Sequence, residues 1–165
     1  MKKNYKKGFT LIELLVVIAI IGILASIILA SLATARSKGV DATVKSDMNS
    51  VNSQMEIFNQ GGSVGYTGGC TALGSATPPG AGTLLAGAVS AVTGSISGGV
   101  TLAVENAAGA YNKVSCGDAQ NTWVAEAPLS GSVSGTPSFW CVDSAGNAGT
   151  RVTALGANAT VCPAT

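Results

Sequence analysis

Phe9 to Ala33 reads FTLIELLVVIAIIGILASIILASLA, and its only charged side chain is Glu13. In the 17 residues from Leu14 to Ala30 the sole polar side chain is Ser26. An α-helix rises about 1.5 Å per residue and about 20 apolar residues cross the hydrocarbon core of a bilayer, so this stretch is long enough to span one. A carboxylate inside such a helix costs roughly 2.5–3.5 kcal/mol to insert. Glu13 is therefore a candidate functional residue that needs a partner.

Upstream of this segment, Lys2, Lys3, Lys6 and Lys7 supply four of the nine bases of the chain. By the positive-inside rule they predict an N-in orientation, with everything beyond the helix outside the cytoplasm. Residues 9–165 hold five bases against eight acids, a net charge of −3. Downstream, the pattern changes from apolar all round to apolar on one side. Val40, Val44, Met48, Val51, Met55 and Phe58 recur at spacings of three and four, a single helical stripe. Lys38, Asp41, Lys45, Asn49, Asn52 and Glu56 fall on the other side, where Asp41 and Lys45 form a favourable i,i+4 pair. No proline precedes Pro78, and Gly61-Gly62 is a stop signal of the C-cap type. One continuous helix from about residue 10 to 60 is expected, about 75 Å long.

The composition agrees with a membrane or polymer interior. Charged residues are 10% of the 165, against about 25% in a typical soluble domain, hydrophobic residues are 47%, and the mean hydropathy is +0.42. Global disorder is excluded, and a basic nucleic-acid-binding face lacks its charge. Histidine is absent, which removes Ser-His-Asp and Cys-His nucleophiles and histidine zinc ligands. The chain offers no catalytic residue set, no metal site and no cofactor motif.

The remaining hundred residues are rich in Gly, Ser, Thr and Ala. Gly61 to Gly82 reads as loop and Thr83–Ser90 as a short helix. Strand-like runs follow at Val100–Glu105, Tyr111–Ser115, Thr122–Ala127 and Ser138–Asp143. In two of these Trp123 and Ala125 alternate with Val124 and Glu126, and Phe139 and Cys141 with Trp140 and Val142. The expected fold class is α+β, a long N-terminal helix packed by its amphipathic half on a small antiparallel sheet. The segments are 1–8, a leader; 9–33, a membrane or filament-core half-helix; 34–60, an amphipathic half; and 61–165, a β-rich head.

A basic leader ending at Gly8, then Phe9-Thr10-Leu11-Ile12-Glu13, then an unbroken apolar helix resembles the class III signal of type IV pilins and the pseudopilins of type II secretion. The resemblance is carried by residues 1 to about 58. It implies cleavage between Gly8 and Phe9 by prepilin peptidase, N-methylation of Phe9, and polymerisation through the hydrophobic helix into a pilus or pseudopilus. It also implies that Glu13 meets the terminal amine of a neighbouring subunit and sets register. The partners implied are other copies of the chain, the peptidase and methyltransferase, the pilus or type II secretion machinery, and the lipid bilayer before assembly. The destination is the inner membrane, then the cell surface or periplasm. The resemblance departs at Ala30, where many members carry proline, which weakens the expectation of a kink there; Gly22 remains a weak point in the helix.

Two rival readings exist for the helix. Ala33-Thr34-Ala35 offers a Sec-type cleavage site, but the apolar run exceeds a 7–15-residue signal core and contains Glu13. A plain single-pass anchor carrying a monomeric binding domain leaves Glu13 without a partner. Cys70, Cys116, Cys141 and Cys162 all lie beyond the helix without a C-x-x-C, which favours disulfides in an exported head. Of the three pairings, Cys70–Cys116 closing the loop after the helix and Cys141–Cys162 clamping the C-terminal tail are preferred. Asp143-Ser-Ala-Gly-Asn147 lacks the alternating carboxylates of a calcium loop and reads as a hairpin turn. Asn158-Ala-Thr160 is the single N-x-[ST] sequon.

Overall fold

The computed structural model describes residues 8–60, 65–70, 82–93, 96, 101–102, 106–132 and 134–163. Its elements are α1 (Leu11–Gln60), α2 (Gly82–Val92), β1 (Thr101–Leu102), β2 (Lys113–Asp118), β3 (Trp123–Pro128), β4 (Phe139–Asp143) and β5 (Ala148–Arg151). They divide into two compact units, one ending at Arg36 and one running from Ser37. The fold is α+β, as the periodicity predicts. The Gly61-Gly62 stop and most of the Val100–Glu105 run lie outside the described residues.

In the unit up to Arg36, the large apolar side chains stand in the open. Leu11, Ile12, Ile23, Ile27, Ile28 and Leu29 each expose more than 60% of their surface. Helical structure continues through Gly22 and residue 30 without interruption. Ser26 satisfies its hydroxyl locally, donating to the Ile23 carbonyl at 2.8 Å.

The unit from Ser37 has a core because the stripe on α1 finds a cover. Val44, Met48, Val51 and Met55 are fully buried, and Phe58 nearly so. The first four share one cluster with Leu85, Ala88 and Val92 of α2 and with Val114, Trp123, Ala125, Ala127 and Val142 of the sheet. The helices approach closely at Gly87, where a Cβ would lie 3.1 Å from Asp47 Oδ2. Asp41 and Lys45 turn to the sheet rather than to each other. Asp41 Oδ1 accepts the Ser130 N–H at 2.7 Å, and Lys45 Nζ lies 5.0 Å over the Trp140 ring. Trp140 Nε1 donates to Asn49 Oδ1 at 3.2 Å.

The sheet runs in the order β1-β2-β3-β4-β5. Strands β2 to β5 are antiparallel neighbours, with Cys116 opposite Ala125 and Ala125 opposite Val142. The short β1 pairs parallel with β2, which departs from the all-antiparallel expectation. The predicted Tyr111–Ser115 run begins too early, because Tyr111 and Asn112 form a turn and the strand carries on through Gly117 to Asp118. The hairpin turn expected at Asp143–Asn147 joins β4 to β5, whose own residues the sequence does not mark as a strand, and Asp143 tightens the turn by accepting the N–H groups of Ala145 and Asn147, each at 3.0 Å.

Every residue of β3 is buried, so both faces of the sheet are covered. The face turned away from α1 carries Val124 and Cys141, which cluster with Leu155, Ala159 and Cys162 of the C-terminal segment. That segment closes in at Gly117, where a Cβ would strike the Ala159 carbonyl.

Candidate functional site

The start of α1 is built by two residues that serve each other. Thr10 is the N-cap: its Oγ accepts the Glu13 N–H at 3.2 Å. Glu13 Oε2 reaches back to accept both the Thr10 N–H and the Thr10 hydroxyl, each at 2.8 Å. This reciprocal capping box satisfies N–H groups that the first turn of a helix leaves without intrahelical partners. The T-x-x-E spacing announces it in the sequence, yet the family resemblance assigns no role to Thr10. Glu13 Oε1 accepts no hydrogen bond among the described residues, so one carboxylate oxygen remains available to a further donor.

Phe9 stands directly before the cap with 84% of its surface exposed, and Gly8 beside it has open space where a side chain would be. Gly8, Phe9, Thr10 and Glu13 thus lie together at one helix end. Lys2, Lys3, Lys6 and Lys7 lie outside the described residues. From Phe9 to Leu32 the helix presents an apolar surface that nothing in its own unit buries. By length and composition it can cross a membrane.

Residues 3–29 match the family described as the prokaryotic N-terminal methylation motif. The type IV wide pilus major component PilA4 of Thermus thermophilus is 46% identical over 52 residues, which cover 32% of this chain and 40% of that relative. The N-terminal part of the chain is thus similar to that of type IV pilins. The match to PilA4 extends over less than half of either protein, and no solved structure matches the chain.

A pilin-like apolar helix suits both a bilayer and a filament interior, since each excludes water. In the head of this pilin-like chain, Cys70 is joined to Cys116 and Cys141 to Cys162. The first bond ties the segment after α1 to β2, next to Asp118, whose Oδ2 accepts the Cys70 N–H at 3.0 Å. The second ties the C-terminal segment to β4. Asn158 of the sequon is exposed, with φ 58° and its N–H bonded to the Asn106 carbonyl at 2.9 Å.

Proposed function

We propose that this chain is the precursor of a filament subunit, cut between Gly8 and Phe9 by prepilin peptidase, N-methylated on Phe9 and polymerised through the helix that begins there. The observation that carries the reading is the exposed apolar surface from Phe9 to Leu32 with one carboxylate, Glu13, at its head. Before assembly the bilayer covers that surface, with residues 1–8 on the cytoplasmic side. After assembly the helices of neighbouring subunits cover it, and the filament passes into the periplasm or to the cell surface.

Cleavage creates a cationic amine on Phe9, one helical turn from Glu13. In a low-dielectric bundle a charge and its counter-charge attract strongly at short range and repel misplacement, so pairing Glu13 with a neighbour's amine fixes axial register. The open Oε1 gives that amine a place to bind while Oε2 stays on Thr10. The head, net acidic and rich in Gly, Ser and Thr, forms the outer surface. PilA4 is described as a major pilus component, and that likeness supports a filament role for this chain.

Mass spectrometry of the mature N-terminus tests the processing step. N-methyl-Phe9 supports it; Arg36 as first residue establishes the Sec route, and an intact Met1 a plain anchor bearing a monomeric binding domain. Glu13→Ala is expected to abolish or disorder filaments, seen by electron microscopy of sheared material, while the head keeps its fold. Wild-type filament yield from that variant defeats the register role.

A further inference from the structure

On the face of the sheet turned away from α1, Glu126 is fully buried. Its Oε1 accepts the Leu155 N–H at 3.0 Å, and the Leu155 carbonyl accepts the Gly109 N–H at 2.8 Å. A Cβ at Gly109 would strike Glu126 Oε1, so the carboxyl closes directly on this backbone. Glu126 thus sits where β3, the segment 106–110 and the C-terminal segment meet. Its Oε2 has no hydrogen-bond partner among the described residues. Directly opposite across the strand pair is Ser115, equally buried, whose Oγ also lacks a partner among them.

A charged carboxylate in this place has one N–H donor and no cation among the described residues. The other charged groups on this face are engaged or peripheral. In β5 the Arg151 guanidinium donates to the Pro163 carbonyl at 2.8 Å and to its neighbour's, Thr150, at 3.0 Å. In β4 the Asp143 carboxylate accepts the N–H of Cys162 at 3.0 Å and the Asn147 side chain at 2.9 Å, besides its turn. Lys113 opens β2 on the same side, two residues before Ser115 and only half-buried. The segments 106–110 and 152–163 contain no free titratable side chain. Burying an uncompensated charge is costly, whereas a neutral carboxyl is far cheaper to keep in this place.

We propose that Glu126 forms a proton-operated latch for the C-terminal segment 152–163. With Glu126 neutral the segment is seated on the sheet; when the carboxyl gives its proton to solvent the segment opens locally, still tethered by Cys141–Cys162. Opening uncovers Val124 and changes the outer surface that the head presents. Burial pushes the Glu126 carboxyl from 4.5 up to about 7, against the lowering effect of the Leu155 N–H, so the latch works close to neutrality. Asp143 does not interfere: burial raises it, but the N–H donors of Cys162, Asn147 and Ala145 outweigh burial and hold it below the ordinary carboxylate range, ionised throughout.

The test is amide hydrogen exchange at single residues in the full-length protein in detergent micelles, corrected for intrinsic rates. Between pH 5.5 and 8.5, protection at Leu155 and Asn158 is expected to fall on the order of 30-fold, while Met48 in α1 is unchanged. Glu126→Gln keeps the shape and cannot ionise, so its Leu155 protection is expected to be flat with pH. A flat wild-type profile, or the same slope in the variant, overturns the latch. Should Glu126→Gln fail to fold, a carbon-13 titration of the wild-type Glu126 carboxyl decides: a midpoint near 7 supports the latch and one near 4.5 overturns it.

Discussion

On the side of the sheet that meets α1, Trp123, Ala125, Ala127 and Val142 share a core with Val44, Met48, Val51 and Met55. On the opposite side the same strands present Val124, Glu126, Cys141 and Asp143 to residues 152–163. The two covers differ in what they bring. A helix satisfies its own backbone and so needs to offer only apolar area. The C-terminal segment, VTALGANATVCP, has little apolar area and irregular backbone whose N–H groups must find acceptors elsewhere. The sheet supplies those acceptors as carboxylates, Glu126 to Leu155 and Asp143 to Cys162, and a disulfide does the rest. One side is held by area, the other by directed bonds.

Truncating the largest side chain on the helix-facing side gives the strongest test of that contrast. Trp123 is fully buried and its removal leaves a cavity lined by α1 and the sheet. Trp123→Ala is expected to destabilise the head by about 3–5 kcal/mol in denaturant unfolding followed by far-UV circular dichroism. A cost below about 1 kcal/mol means that the helix-facing side does not carry the core.

Solution pH probes the opposite side without mutation. Glu126 titrates at about 7 in the folded chain and at 4.5 when unfolded, so the native state binds the proton more tightly. Stability from this group is fully present below pH 4.5, falls as pH rises towards 7, and is level above it. The loss is about 3.5 kcal/mol at most, since each pKa unit corresponds to about 1.4 kcal/mol. Unfolding free energies from urea titrations at pH 5 and pH 8 are expected to differ in that direction for the wild type and to converge for Glu126→Gln. Higher stability at pH 8 than at pH 5 breaks the distinction between the two sides.

The same contrast explains which parts of the molecule can be read in the sequence. The stripe from Val40 to Phe58 repeats at helical spacing, so α1 and its buried side are legible residue by residue. The apolar run with Glu13 is legible because its composition is extreme, and β3 and β4 start within one residue of their predicted positions. The reading fails where packing is set by distant, aperiodic chain. Gly117 and Asp118 look like the end of a strand, yet β2 continues through them because the Ala159 carbonyl packs on Gly117 and Asp118 accepts from Cys70. Alternation separates Glu126 from Trp123, but only the fold brings residues 152–163 over it. The sequence AGTR of β5 lacks strand character and forms by pairing with β4.

The smallest effect lies at the rim of the helix-facing side, where polar contacts accompany area instead of replacing it. Lys45 Nζ stands over the half-buried Trp140 ring, whose Nε1 is bonded to Asn49. A cation over an aromatic face at an exposed site contributes about 0.5–1 kcal/mol. Lys45→Met keeps the unbranched stem on the ring and removes only the charge, so the loss is expected to stay within that range. The outcome is read by urea unfolding and by the fluorescence of Trp140, with Trp123 as the buried reference. On the tail-facing side, removing one polar group deprives a backbone N–H of its acceptor. At Lys45 no backbone group is orphaned, because the ring keeps its apolar packing and its bond to Asn49. A cost of several kcal/mol from Lys45→Met therefore contradicts the division of labour, since it assigns directed polar bonds to the side built from area.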